Sequence, residues 1–159
     1  MKVAGNREPG VDCLVGGGTE VHSPRGGHCP VHDPIALPRR ILIVDDNADA
    51  AASLALLLKI SGHETQTAND GLEAVRTAET FLPDVVLLDI GLPKLNGFDA
   101  CRQIRQQAWG RNMKIVALTG WGQEGDRREA TEAGFDAHML KPVDYRDLMT
   151  VLSGMGPAQ

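Results

Sequence analysis

Ile41-Leu42-Ile43-Val44 runs directly into Asp45-Asp46-Asn47. Four consecutive apolar residues cut off by two acids suit a strand buried on both faces, as in a parallel sheet, because a half-exposed strand would alternate. The same figure recurs at Val85-Val86-Leu87-Leu88, closed by Asp89, and at Ile115-Val116-Ala117-Leu118, closed by Thr119. Glu64 to Ala68 is a weaker strand, and Ala137 to Leu140 is a short one ended by Lys141-Pro142. Between these stretches the period changes to that of a helix. Ala48 to Ser61 carries apolar residues at 51, 54, 55 and 58 and is stopped by Gly62. Gly71 to Thr80 shows Leu72, Val75 and Ala78; Phe98, Cys101 and Ile104 mark a third helix. Glu124 to Ala133 is helical but thin in apolar residues, and Tyr145, Leu148 and Leu152 mark a last helix.

Strand and helix therefore alternate five times with short connections. That pattern predicts an α/β fold, a doubly wound (βα)5 parallel sheet with helices on both faces. The flavodoxin-like strand order 2-1-3-4-5 is the expected arrangement. In such a sheet the ligand site lies beyond the carboxyl ends of the strands, at the switch in strand order. Four of the five predicted strands end there in a polar group: Asp45 and Asp46, Asp89, Thr119 and Lys141.

Composition sets the outer bounds. The chain has 159 residues, 42% hydrophobic and 23% charged, which is a globular balance, and its formal net charge of -5 argues against nucleic acid or an anionic membrane as the main partner. Residues 1–38 differ from the rest. They hold seven of the 18 glycines and five of the nine prolines, and no aromatic residue. Such a segment buries too little apolar surface to offset its ordering entropy, so a flexible 1–38 followed by a folded 39–159 is expected. The His28-Cys29-Pro30-Val31-His32 run matches no strong zinc spacing. Three cysteines cannot all pair, and Met1 to Gly10 lacks the apolar stretch of a signal peptide, so the expectation is a cytoplasmic protein.

Carboxylates brought together at strand ends repel one another, and they either take up protons or recruit a cation. All-oxygen ligation favours Mg2+ over Zn2+. A cation, a hydroxyl and an ammonium around one carboxylate form a layout for handling a phosphoryl group, with the carboxylate as nucleophile. Helix capping explains Asp45-Asp46-Asn47 taken alone, but not its combination with Asp89, Thr119 and Lys141 at strand ends.

From Arg39 to Ser153 the chain resembles a two-component receiver domain, the phosphoacceptor module of response regulators and hybrid histidine kinases. The matching pieces are Val44-Asp45-Asp46-Asn47, Leu88-Asp89 with Leu92-Pro93 and Gly97, Leu118-Thr119-Gly120, and Lys141-Pro142. The resemblance implies that Asp89 is the phosphoacceptor. Asp46, Asp89 and the backbone carbonyl of Gly91 would ligate Mg2+, with Asp45 acting through a metal-bound water. Thr119 would bond a phosphoryl oxygen and shift on activation. Lys141 would pair first with Asp89 and then with the phosphoryl group, and the Lys141-Pro142 bond is expected to be cis. The donor would be a histidine kinase or histidine phosphotransfer protein. Output would pass by protein contact through helix four, strand five and helix five, from a monomer or weak dimer. The protein would be a switch rather than a turnover enzyme. Few residues follow the last helix, so a receiver without an output module is expected.

Two departures from the family pattern stand out. The position of its switch aromatic holds His138, so the expectation is that its inward and outward rotation is altered or responds to pH. Gly91 and Trp121 offer no polar side chain to orient an attacking water, so a long phosphoryl lifetime is expected. One rival is a phosphohydrolase of the haloacid-dehalogenase type, which also uses an Asp nucleophile, a Thr and a Lys. Asp45 and Asn47 fit its first motif only in part, and its later acidic pair is missing. The other rival is a receiver-like interaction module that is never phosphorylated.

Overall fold

The computed structural model describes residues 37–120 and 124–156, and the side chains of 124–126 are outside that description. The Gly- and Pro-rich stretch up to residue 36 and Trp121 therefore lie outside the described residues.

Five strands alternate with five helices: β1 Arg40–Val44, α1 Ala48–Ile60, β2 Glu64–Ala68, α2 Gly71–Phe81, β3 Val85–Asp89, α3 Gly97–Gln106, β4 Lys114–Thr119, α4 Glu124–Ala133, β5 Ala137–Leu140 and α5 Tyr145–Gly154. The strands form one parallel sheet in the order β2-β1-β3-β4-β5, the flavodoxin-like order the alternation predicts. The central strands are buried on both faces, which is why their sequences do not alternate. Their side chains still divide by parity. Leu42, Val44, Val86, Leu88 and Ile115 face Ala74 and Ala78 of α2 and Ala100, Cys101 and Ile104 of α3. Ile41, Ile43, Val85, Leu87 and Val116 face Ala51, Ala55 and Leu58 of α1 and Leu148 and Leu152 of α5. A smaller cluster of Phe98, Ala130 and Ala133 joins α4 to α3. Truncating a fully buried Leu58 to Ala would cost about 2–5 kcal/mol, through lost burial and the cavity left behind.

Helix α1 shows how local chemistry sets a boundary. Asn47 caps its start, accepting the N–H groups of Asp49 and Ala50 at 3.1 and 3.2 Å. Its end closes as Gly62, at φ +91°, donates to Lys59 O while His63 donates to Leu58 O. That pair of bonds needs a left-handed residue, and glycine adopts it without a Cβ penalty.

Two details differ from the sequence reading. The inward stripe of α2 is Gly71, Ala74, Ala78 and Phe81, while Leu72 is exposed. Small residues let α2 lie close to the sheet, so the largest apolar side chain near its start is not the buried one. A short 3-10 turn, Ala108–Gly110, which the periodicity did not show, sits between α3 and β4. Cys101 is a buried core residue, and burial first of all pushes its thiol up to about 11. Among the described residues no helix is long and apolar enough to cross a membrane.

Candidate functional site

The sheet order decides which strand ends meet. β1 pairs with β3 in a register that sets Val44 opposite Leu88, so the residues that follow, Asp45 and Asp89, emerge side by side. β4 lies against β3 with Leu118 opposite Asp89, and β5 lies against β4 with Leu140 opposite Thr119. Lys141 therefore leaves the sheet next to Thr119, and its N–H donates to Thr119 O at 2.7 Å. The Lys141-Pro142 peptide bond is cis, as expected. The apolar run before each polar residue anchors it at the sheet rim.

Asp45, Asp89 and Thr119 are 6%, 7% and 7% exposed, so these polar groups are held inside the fold, while Asp46 is exposed. Lys141 Nζ donates to Asp45 Oδ2 at 2.8 Å and to Asp89 Oδ2 at 2.7 Å. The other oxygens are also engaged: Asp45 Oδ1 accepts Asn47 N–H at 2.9 Å, and Asp89 Oδ1 accepts Gly91 N–H at 3.0 Å. Burial alone would lower the pKa of Lys141. The hydrogen bonds to Asp45 and Asp89, and then their charges, outweigh it, and the net direction is upward, so the ammonium stays charged.

Asp45, Asp46 and Asp89 each bring a carboxylate oxygen within 4.8 Å of the others. Among the described residues one ammonium, that of Lys141, bonds two of these three carboxylates, which leaves an excess of negative charge in a half-buried cleft. Such an all-oxygen donor set suits a hard divalent cation. Asn47 serves as the cap of α1, which leaves both aspartates before it available to the cluster.

The structure thus gathers Asp45, Asp46, Asp89, Thr119 and Lys141 at one end of the sheet, with Gly91 bonded to Asp89. His138 stands apart from them. It is exposed on β5, opposite Ala117 rather than Thr119, beside a groove of about 480 Å3 bounded by Arg127, Leu140, Pro142, Asp144 and Thr150. The sequence reading paired Lys141 with Asp89 alone. Its second bond, to Asp45, joins residues 96 positions apart and depends on the reach of a flexible side chain.

Comparison with known proteins agrees with this arrangement. Residues 41–153 match the family of response regulator receiver domains. The alkaline phosphatase synthesis transcriptional regulatory protein PhoP of Bacillus subtilis (strain 168) is 40% identical over 110 residues, 69% of this chain and 45% of that protein. The chain spans about half the length of most of the curated relatives it matches. The polar-differentiation response regulator DivK of Brucella anthropi is 30% identical over 123 residues and is covered completely, against 77% of this chain. Among solved structures, the receiver domain of the sensor histidine kinase PA1611 from Pseudomonas aeruginosa PAO1 superposes with a TM-score of 0.69 at 35% identity, over 74% of this chain and 97% of that one. That receiver holds a magnesium ion coordinated in its active site cleft. Carboxylates, hydroxyl and lysine at the strand ends, on this sheet and with these relatives, make the chain a member of the response regulator receiver domain family of two-component systems.

Proposed function

We propose that residues 39–159 act as a phosphoacceptor switch in a two-component phosphorelay. Asp89 takes a phosphoryl group from the phosphohistidine of a histidine kinase or histidine phosphotransfer protein, with Mg2+ as cofactor. The observation that carries this reading is Lys141 Nζ bridging Asp45 and Asp89 within a cluster of three carboxylates. Asp45, Asp46, Asp89 and the backbone carbonyl of Gly91 would hold Mg2+. When bound, the ion neutralises phosphoryl oxygens that the carboxylates would otherwise repel.

An Asp89 carboxylate oxygen forms the bond to phosphorus as the bond from phosphorus to the donor's imidazole nitrogen breaks. Asp89 is aimed by hydrogen bonds from Lys141 Nζ and Gly91 N–H. After transfer Lys141 moves its hydrogen bond from the carboxylate to a phosphoryl oxygen, and Thr119 donates its hydroxyl to another. Transfer and later hydrolysis are self-catalysed at Asp89, so the protein is a switch rather than a turnover enzyme. Output passes by protein contact through the α4-β5-α5 face, where His138 takes the place of the family's switch aromatic. A cytoplasmic location and a monomer or weak dimer complete the reading.

The test is intact mass after incubation with Mg2+ and acetyl phosphate, with Asp89→Asn in parallel. A gain of about 80 Da in the parent but not in the variant is expected. A folded parent that gains no mass from acetyl phosphate or from a phosphorylated histidine domain would instead be a non-phosphorylated interaction module.

A further inference from the structure

Residues 90–97, the loop after β3 and the first residue of α3, are held at the base and at the tip. At the base Gly97 N–H donates to Ile90 O at 3.0 Å. A Cβ on Gly97 would stand 2.4 Å from the Asp89 carbonyl oxygen, so only glycine fits there. At the tip Leu95 N–H donates to Pro93 O at 2.7 Å across Lys94, whose φ is +65°. A three-residue turn with a side-chain-bearing residue in the left-handed region is disfavoured, and it persists only where its surroundings hold it.

The start of α2 supplies that hold. Lys94 Nζ meets Asp70 Oδ2 at 2.7 Å, and the Asp70 side chain is only 13% exposed. Asp70 Oδ1 caps α2 by accepting Glu73 N–H at 2.8 Å. The Leu95 carbonyl lies against Gly71, where a Cβ would stand 2.1 Å from its oxygen. The hydrogen bond from Lys94, and after it the bond from Glu73 N–H, hold the Asp70 carboxyl below its usual range. A single surface ion pair ordinarily contributes little. This one differs because its acid is already fixed as a helix cap, and because it restrains a turn that is unfavourable without it.

We propose that the Lys94–Asp70 ion pair is a clasp that positions the 90–97 loop, and with it the Gly91 backbone beside Asp89, for cation binding. Lys94 is a positioning residue in this scheme, which rests on the metal site described under the proposed function. The motif after Asp89 shows the loop but not the clasp, because Asp70 lies 24 residues away in sequence.

Two variants separate the clasp from general stability. Asp70→Asn keeps an oxygen that caps α2 and removes the charge. Lys94→Gly removes the ammonium and relaxes the turn. For each, amide hydrogen exchange over residues 90–97 is measured in metal-free protein, Mg2+ affinity by calorimetry, and thermal unfolding alongside. Loop exchange is expected to accelerate in Asp70→Asn, and Mg2+ affinity to fall about tenfold in both variants, the low end for residues that orient metal ligands. The amides of the central strands should keep the parent's exchange. Unaltered loop exchange and affinity in variants of a parent that binds Mg2+ would overturn the clasp alone. A parent that binds no Mg2+ would overturn the metal site and, with it, the role given to the clasp.

Discussion

The two ends of the sheet use the same residue types in opposite ways. At the carboxyl end, Asp45, Asp46 and Asp89 crowd together, and the Lys141 ammonium bonds two of them, Asp45 and Asp89. At the amino end, Arg105 of α3 reaches five acceptors. Its Nε donates to Gly134 O at 2.9 Å, its Nη1 to the carbonyls of Gly110, Arg111 and Met113, and its Nη2 to Asp136 Oδ2 at 2.7 Å. Asp136 Oδ2 also accepts Ile115 N–H at 2.8 Å. All three guanidinium nitrogens of Arg105 help close the junction between α3, β4 and the α4–β5 turn, and its one acid there, Asp136, is met by Arg105 and by Lys114 at 3.9 Å. Charge at the carboxyl end is left in excess. One end is closed by hydrogen bonds among its own residues; the other gathers three carboxylates that suit a hard cation.

The sharpest test of this contrast is Lys141→Met. It removes the ammonium that bonds Asp45 and Asp89, and phosphoryl transfer should slow by about 10²–10³-fold, the usual loss when a preorganised charge donor is deleted. The rate of mass gain from acetyl phosphate measures it. Stability lost in that variant should be partly regained on adding Mg2+, since a ligand that binds the folded state stabilises it.

Next in size is Arg105→Ala. It takes the side-chain donor from four carbonyls and one of the partners from Asp136, which keeps Ile115 N–H, and should cost about 2 kcal/mol of unfolding free energy in urea titration. Mg2+ should recover none of that loss beyond what it adds to the parent. Recovery would erase the distinction between the two ends.

A smaller effect of the opposite sign is expected from Asp46→Asn. In metal-free protein at low salt it relieves like-charge repulsion and should raise stability by about 1 kcal/mol, while weakening Mg2+ binding. A loss of stability would mean that the carboxyl end is balanced after all.

The smallest effect sharpens the amino end. His63 is 5% exposed, its Nδ1 accepts Arg39 N–H at 3.2 Å, and its Nε2 has no partner among the described residues. Burial first, and then the Arg39 charge, lower its pKa below 6.5. Because the folded form resists the proton, this contribution is fully present above the unfolded pKa of about 6.5 and is lost as pH falls below it. His63→Gln should flatten unfolding free energy against pH in that window by a fraction of the roughly 1.4 kcal/mol per pH unit that one full proton gives.

Much of this molecule was legible in its residues. β2, α4 and β5 have the bounds that the sequence pattern predicts, and Phe98, Cys101 and Ile104 are all buried on α3. The α2 stripe was misread, because alanines carry little hydrophobic signal yet pack closest to the sheet. The site was legible because its acids, threonine and lysine each follow an apolar strand. The clasps were not, since an exposed-looking Lys94 or Arg105 gives no sign of the distant oxygen it will meet.

The sequence by itself determined the order of elements and which polar residues stand at the strand ends. Both are local: each run of four apolar residues ends at the first polar side chain, and the run itself anchors that side chain at the sheet rim. Only the tertiary structure decided that Lys141 is shared between Asp45 and Asp89, that Lys94 closes on Asp70, and that Arg105 gathers three segments. Long, flexible cations choose among several oxygens, and that choice depends on where the packed sheet and helices have already placed them.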